Sequence, residues 1–230
     1  MKKEVSAVVV ARKGSVRVQG KNKKLLGGTP LFARKLAQLQ KCASVNRVIF
    51  GSDDDEMLRV AESMGCETIR RPDFFCDEAQ ASANDMIGNM MDSIDTEVVV
   101  WAHCTNPLIS SQTYDLAVQT FLENLGTYDS LLSVVELREH LWHETPRGME
   151  PLNYDPTLPR HTPARELPPY YMQDGGIFIQ PYEQMKRNRY FFGRKPYLFK
   201  IPESEFLDIN TERDMLLAQA IIDAQGIAKC

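Results

Sequence analysis

An apolar strand that runs straight into a basic, glycine-containing loop constrains this chain more than any other feature. Ala7-Val8-Val9-Val10-Ala11 is a short, continuous apolar run, as expected of a buried strand. Within the next thirteen residues fall Arg12, Lys13, Arg17, Lys21, Lys23 and Lys24 together with Gly14 and Gly20, and Gly27 and Gly28 follow closely. Pro30 then opens a helix with apolar positions at Leu31, Phe32, Leu36 and Leu39. Strand, anion-seeking loop and helix in that order begin an α/β nucleotide fold. The charge distribution sharpens the point. Residues 5–52 hold ten Lys or Arg and no Asp or Glu, so within a chain of net charge −4 the remaining residues carry −14. A basic loop on an otherwise acidic protein favours a localised anion such as a triphosphate and excludes general nucleic-acid binding, which calls for a basic domain.

The α/β alternation continues downstream. Pattern and punctuation predict a strand at Arg47–Phe50, a helix at Asp53–Met64 stopped by Gly65, and a strand at Glu67–Ile69 that ends before Arg70-Arg71-Pro72. A Met-rich helix is expected over residues 83–94, a buried strand at Glu97–Ala102, and an amphipathic helix at Ser111–Leu125 before Gly126. Between about residues 137 and 172 seven prolines break any regular pattern, and a structureless stretch of that length inside a domain points to a functional or dimer-forming excursion. Strands return at Gly176–Gln180 and Tyr197–Ile201, and Thr211 and Asp214 have capping-box spacing for a helix over Thr211–Gln225 with Gly226 as its stop. With no internal repeat, low-complexity tract or linker, the expectation is a single domain over residues 1–230 with an irregular insertion at about 137–172.

Nothing in the chain approaches a membrane-spanning apolar run, and the opening Met1-Lys2-Lys3-Glu4 before Val8-Val9-Val10 lacks the core and cleavage site of a signal peptide. A cytoplasmic location is expected. The five cysteines, Cys42, Cys66, Cys76, Cys104 and Cys230, are scattered and never form a CxxC pair, which predicts reduced, packed thiols and neither a disulfide framework nor a zinc site. His140 and His143 lie three apart with Glu144 adjacent, but no third ligand has zinc spacing, so surface or interface residues are expected there, and His161 adds nothing further.

In the loop, glycines let backbone amides approach phosphate oxygens, arginine supplies a bidentate fork, and Lys21 can meet a leaving pyrophosphate as a point cation. The same residues could also form a solvated turn. It is not a P-loop: five residues separate Gly14 from Gly20, and Asn22 stands where Ser or Thr would hold magnesium. Ala11-Arg12-x-x-Ser15 followed by Lys21-Asn22 resembles the signature of the CMP-acylneuraminate synthetases and their relatives that activate other nonulosonic acids. The resemblance recurs in order at Arg71-Pro72 with Asp77 and Ser82, at Thr105-Asn106-Pro107-Leu108, at Arg165 before Leu167-Pro168, at Asp174 to Ile179, and at Asp208 to Asp214.

This resemblance implies a Rossmann-like nucleotidyltransferase fold, an α/β architecture with a mostly parallel central sheet and an irregular dimerisation insertion. It implies a CTP-dependent cytidylyltransferase that moves CMP to a small acidic acceptor and works as a homodimer. By the same resemblance Ala11, Arg12, Ser15, Lys21 and Asn22 contact the triphosphate, Arg71 and Ser82 flank the nucleotide, and Arg12, Lys21 and Asp208 carry the catalysis. Asp208 with Asn210 is the expected Mg²⁺ position, although Asn210 replaces the second aspartate of the family pattern and removes one charge. The acceptor side is implied to comprise His103, Arg165, Asp174, Phe178, Phe191 and Phe192. Several departures fall there: His103 replaces a Gln, Asp174 an Asn, Phe178 a Tyr, and the Arg usual beyond Leu108 is missing. They leave a nonulosonic-type sugar acid, another acidic acceptor such as a phosphonate, and a non-catalytic nucleotide or sugar binder all open. Direct displacement at the α-phosphorus needs no covalent nucleophile, and His103 could act as base or orient the acceptor.

Overall fold

The computed structural model describes residues 3–15 and 18–225. Met1, Lys2, Arg17, Gly226 and Cys230, named above, lie outside them. In chain order the elements are β1 (Val5–Val10), a two-stranded ribbon of β2 (Leu25–Leu26) and β3 (Thr29–Pro30), α1 (Leu31–Gln40), β4 (Arg47–Ser52), α2 (Asp55–Ser63) and β5 (Glu67–Arg70). There follow α3 (Ala83–Met91), β6 (Val98–Ala102), α4 (Ser111–Glu123), β7 (Ser130–Leu137), a hairpin of β8 (Trp142–Thr145) and β9 (Gly148–Pro151), β10 (Tyr170–Pro181), α5 (Tyr182–Asn188), β11 (Pro196–Lys200) and α6 (Glu212–Gln225).

Seven strands form one sheet in the order β11-β7-β10-β6-β1-β4-β5, with β10 alone running antiparallel to its neighbours. Because the inner strands are covered on both faces, alternate side chains enter two separate cores. Val5, Ala7 and Val9 join Val98, Val100 and Ala102 in the cluster beneath α1, α2, α4 and α6. Val8, Val99 and Trp101 point the other way and pack with Ile87, Met90 and Met91 of α3 and with Tyr182 and Met185 of α5. This is the expected α/β fold with a mostly parallel sheet.

The helix starts follow their caps. The Asp54 carboxylate accepts the amides of Glu56 and Met57 at 2.9 and 3.2 Å, so α2 begins two residues later than the expected Asp53. Gly65, in the left-handed region at φ 82°, ends it as expected. At α6 the Asp214 carboxylate accepts the Thr211 amide at 2.7 Å while the Thr211 hydroxyl accepts the Asp214 amide at 3.3 Å, which is the reciprocal box read from the sequence.

Two differences lie downstream of residue 125. Ser130–Leu137 is a full strand that the sequence pattern did not announce, because its first six residues are all buried and show no alternation. The proline-rich stretch is also less irregular than expected: it contains the β8–β9 hairpin, and β10 resumes at Tyr170 instead of Gly176. Those first β10 residues pair only with β7, Tyr170 opposite Leu137 through Gln173 opposite Val134, while β6 is paired by Ile177–Pro181. A register shift between Gln173 and Phe178, with Gly175 at φ 77°, separates the two halves.

Candidate active site

β1 lies between β4, reached through α1, and β6, reached from the other side of the sheet. At such a switch point the loops leaving neighbouring strands diverge and open a crevice beyond their carboxyl ends. A cleft of about 750 Å³ occupies that place. Its walls include Ala11, Arg12, Ser15, Lys21 and Asn22 from the loop after β1, Arg71 after β5, Ser82 at the start of α3, His103 after β6, and Asp208 with Asn210 from the segment before α6. Residues spread over two hundred positions of sequence thus share one crevice.

Short bonds within the chain set the shape of the basic loop. Gly20, at φ 62°, turns it, and the buried Asn22 side chain donates to the Arg12 carbonyl at 3.1 Å, tying its far end to its start. The Lys21 amine donates to the Ile209 carbonyl at 2.8 Å, which places its charge beside the Asp208 segment. Arg12 holds Glu78 at 2.7 Å with one terminal nitrogen and the Cys76 carbonyl at 3.4 Å with the other. Sequence reasoning missed Glu78. It stands in an exposed turn with no periodicity, and only the fold brings it opposite Arg12.

Arg71 is 2% exposed and donates to the Phe75 carbonyl at 2.6 Å, while its Nε is buried without a partner. Burial lowers its pKa below the usual arginine value. Ser82 is committed to capping α3, its hydroxyl accepting the Asp85 amide at 3.2 Å. The Asn210 side-chain nitrogen donates to the Asp208 carboxylate at 2.6 Å. Turning that amide over would present its oxygen beside the carboxylate. Such a pair of oxygen donors fits a hard divalent cation that leaves its other positions to phosphate and water. Among the described residues no group of three His, Cys, Asp or Glu could hold a metal by itself.

On the other wall His103 is fixed. Its Nδ1 lies 2.7 Å from the Gly175 carbonyl, and its Nε2 accepts the Trp101 indole N–H at 3.2 Å. Nδ1 therefore carries the hydrogen. Burial also lowers the histidine pKa, so the ring is neutral near pH 7 with both nitrogens engaged. It suits orientation of a ligand better than removal of a proton.

The remaining expected acceptor residues do not line the cleft. Phe178 is 1% exposed and stacks on Phe191 at 4.9 Å and on Phe192 at 6.3 Å, with Phe191 edge-on to His103 at 5.5 Å. These rings back His103 without reaching the cleft. Asp174 is buried beneath the wall, and neither carboxylate oxygen has a hydrogen-bond partner. Burial raises its pKa against the opposing pull of the Ser133 hydroxyl and the Gly176 amide. Arg165 is 83% exposed in the proline-rich stretch and lies 3.8 Å from Glu166, away from the cleft of this single chain.

Cys76 and Cys104 line the cleft, and with Cys42 and Cys66 they are buried and free. Burial pushes Cys42 and Cys104 up to about 12, Cys66 up to about 11, and Cys76 upward as well. At pH 8 these thiols stay protonated in the folded chain but titrate normally once unfolded. Maleimide labelling mapped by mass spectrometry should therefore leave all four unmodified under native conditions and modify all four in denaturant. Rapid native labelling of Cys104 would show the wall to be open.

The model of a family described as Cytidylyltransferase matches residues 6–146. The chain belongs to this cytidylyltransferase family. An N-acylneuraminate cytidylyltransferase A from Danio rerio is 25% identical over 94% of this chain and 50% of its own length. A post-translational flagellin modification protein B from Campylobacter coli is 21% identical over 97% of both chains. The chain spans about half the length of the curated cytidylyltransferases it matches. A CMP:2-keto-3-deoxy-manno-octonic acid synthetase, solved in complex with CTP, superposes with a TM-score of 0.67 at 14% identity over 96% of this chain and 99% of that one. That likeness places this family member in the Rossmann-like nucleotidyltransferase fold.

Proposed function

We propose that this family member transfers CMP from CTP to an acidic sugar acid and releases pyrophosphate. The observation that carries this reading is the cleft in which the basic loop, Arg71 and the Asp208–Asn210 pair face the His103 wall. The names of the relatives, whose printed acceptors are N-acylneuraminate and 2-keto-3-deoxy-manno-octonic acid, support the acceptor class. An acceptor hydroxyl oxygen forms a bond to the α-phosphorus as the bridging bond to the β-phosphate breaks, and the hydroxyl proton is released. Arg12, Ser15, Lys21 and Asn22 hold the triphosphate, with Lys21 at the departing pyrophosphate. His103 orients the acceptor. Asp208, with the Asn210 oxygen, would hold Mg²⁺, which when bound neutralises phosphate charge.

The exposed Trp142 and Met149 on the β8–β9 hairpin, 50% and 62% accessible, support a homodimer formed through the insertion, and the protonated thiols suit a reducing cytoplasm. Pyrophosphate release with CTP and Mg²⁺ tests the activity, using N-acetylneuraminate, 2-keto-3-deoxy-manno-octonate and a phosphonate as acceptors and ATP, GTP and UTP as controls. CTP binding without turnover of any acceptor would favour a non-catalytic binder, the reading that Asn210 keeps in play.

Glu78 occupies the Arg12 fork that the phosphates need, so it competes with them. Exposed pairs of this kind are worth about 0.2–1 kcal/mol. Glu78→Gln is therefore expected to tighten CTP binding by up to about fivefold, measured by calorimetry at constant salt. Weaker binding would show that Glu78 helps to build the site.

A further inference from the structure

Lys35 is fully buried in the middle of α1, one of the most costly places for an amine, and nothing in the proposed transfer uses it. Both of its hydrogen-bond partners are neutral. The amine donates to the Asn106 carbonyl at 2.8 Å and to the Tyr114 hydroxyl at 2.9 Å, and sits 4.8 Å from the centre of the Tyr114 ring. Burial lowers its pKa to about 7, and both the ammonium and the free amine can donate these two bonds.

Each partner passes the connection on to the same place. The Tyr114 hydroxyl donates to the Gly176 carbonyl at 3.2 Å, and the Asn106 side chain donates to the Asp174 carbonyl at 3.0 Å. The residue between these two, Gly175, presents the carbonyl that receives the His103 Nδ1 hydrogen. There is no slack at this point. A Cβ on Gly176 would stand 2.2 Å from Ile109 and 2.6 Å from the Asp174 carboxylate.

From this double tether we infer that Lys35 is a positioning residue for the His103 wall. Through Asn106 and Tyr114 it fixes the β10 bulge, and the bulge fixes the orientation of the imidazole that faces the acceptor. Only the purpose of the wall rests on the proposed transfer; the tether is independent of it.

The experiment is a comparison of wild type with Lys35→Met, which fills the volume without donors, Lys35→Arg, which keeps them, and Tyr114→Phe, which breaks one branch. The ¹⁵N shifts of the His103 ring, one of four histidines in the chain and assigned by loss in His103→Asn, report the tautomer on the protein alone. In wild type the two ring nitrogens should give well-separated shifts typical of a single neutral tautomer. In Lys35→Met and Tyr114→Phe they should converge as tautomers mix, with Lys35→Arg restoring part of the separation. CTP affinity by calorimetry should change by less than about twofold. The KM of whichever sugar acid turns over should rise about tenfold in Lys35→Met. Unchanged His103 shifts in both Lys35→Met and Tyr114→Phe, or a loss of CTP affinity as large as the loss in acceptor use, would overturn the assignment. Should Lys35→Met not fold, Tyr114→Phe alone decides it. Absence of turnover with every acceptor would defeat the proposed transfer while the His103 shifts still decide the role of Lys35.

Discussion

Asp208→Ala is expected to lower Mg²⁺-dependent turnover by roughly a thousandfold, the upper end of what one preorganised electrostatic group supplies. The size of the effect follows from the composition of the site. Asp208 is the acidic member of the Asp208–Asn210 pair, and its neighbour contributes only an amide, so removing it leaves no carboxylate at that position. The fold should survive, because Asp208 is half-buried and the neighbouring Ile209 amide is held independently by the Thr105 carbonyl. Asn210→Asp should act in the opposite direction and lower the Mg²⁺ concentration needed for half-maximal rate, since it restores a second charge. Full activity of Asp208→Ala across a magnesium titration, with an unchanged melting temperature, would remove Asp208 from the reaction.

Lys21→Ala should cost about a hundredfold in kcat, and Arg12→Ala at least tenfold in kcat/KM for CTP. The two differ because they are held differently. The Lys21 amine is already placed by the Ile209 carbonyl, so in the proposed reaction it would meet developing charge without reorganisation. Arg12 would first have to leave Glu78, which would offset part of its gain on binding phosphate. Steady-state pyrophosphate release at saturating and limiting CTP separates the two effects. Near-normal rates in both variants would show that the loop after β1 is not where the triphosphate sits.

The convergence of the basic-loop residues on one cleft was largely legible in the sequence, and the reason is local. Ala11, Arg12, Ser15, Lys21 and Asn22 lie within twelve residues, and a strand followed by a basic loop can close around an anion in few ways. Capping boxes and glycine stops were equally local signals. The other wall was less legible because it depends on contacts between distant segments. Phe178 looked like a pocket residue, yet strand alternation sends it into the core beside Trp101. Lys35 carried no signal in the sequence, and only the packing of α1 against α4 shows that it is enclosed. Asp174 was also hard to read, since only the fold shows that it is buried and that this burial raises its pKa. Ser130–Leu137 was overlooked for a different reason: a strand buried along most of its length has no period to detect.

The reversed direction of β10 brings the insertion back to the sheet at the end where β6 stops. Its first residues overhang β6, pair only with β7, and deliver the Gly175 carbonyl to His103. In the proposed reaction the loop near residues 11–24 would hold the triphosphate, whereas the His103 wall is braced by the segment that returns at 170–176. A change in the length or path of the insertion would therefore reach the His103 wall through Gly175 without passing through the basic loop.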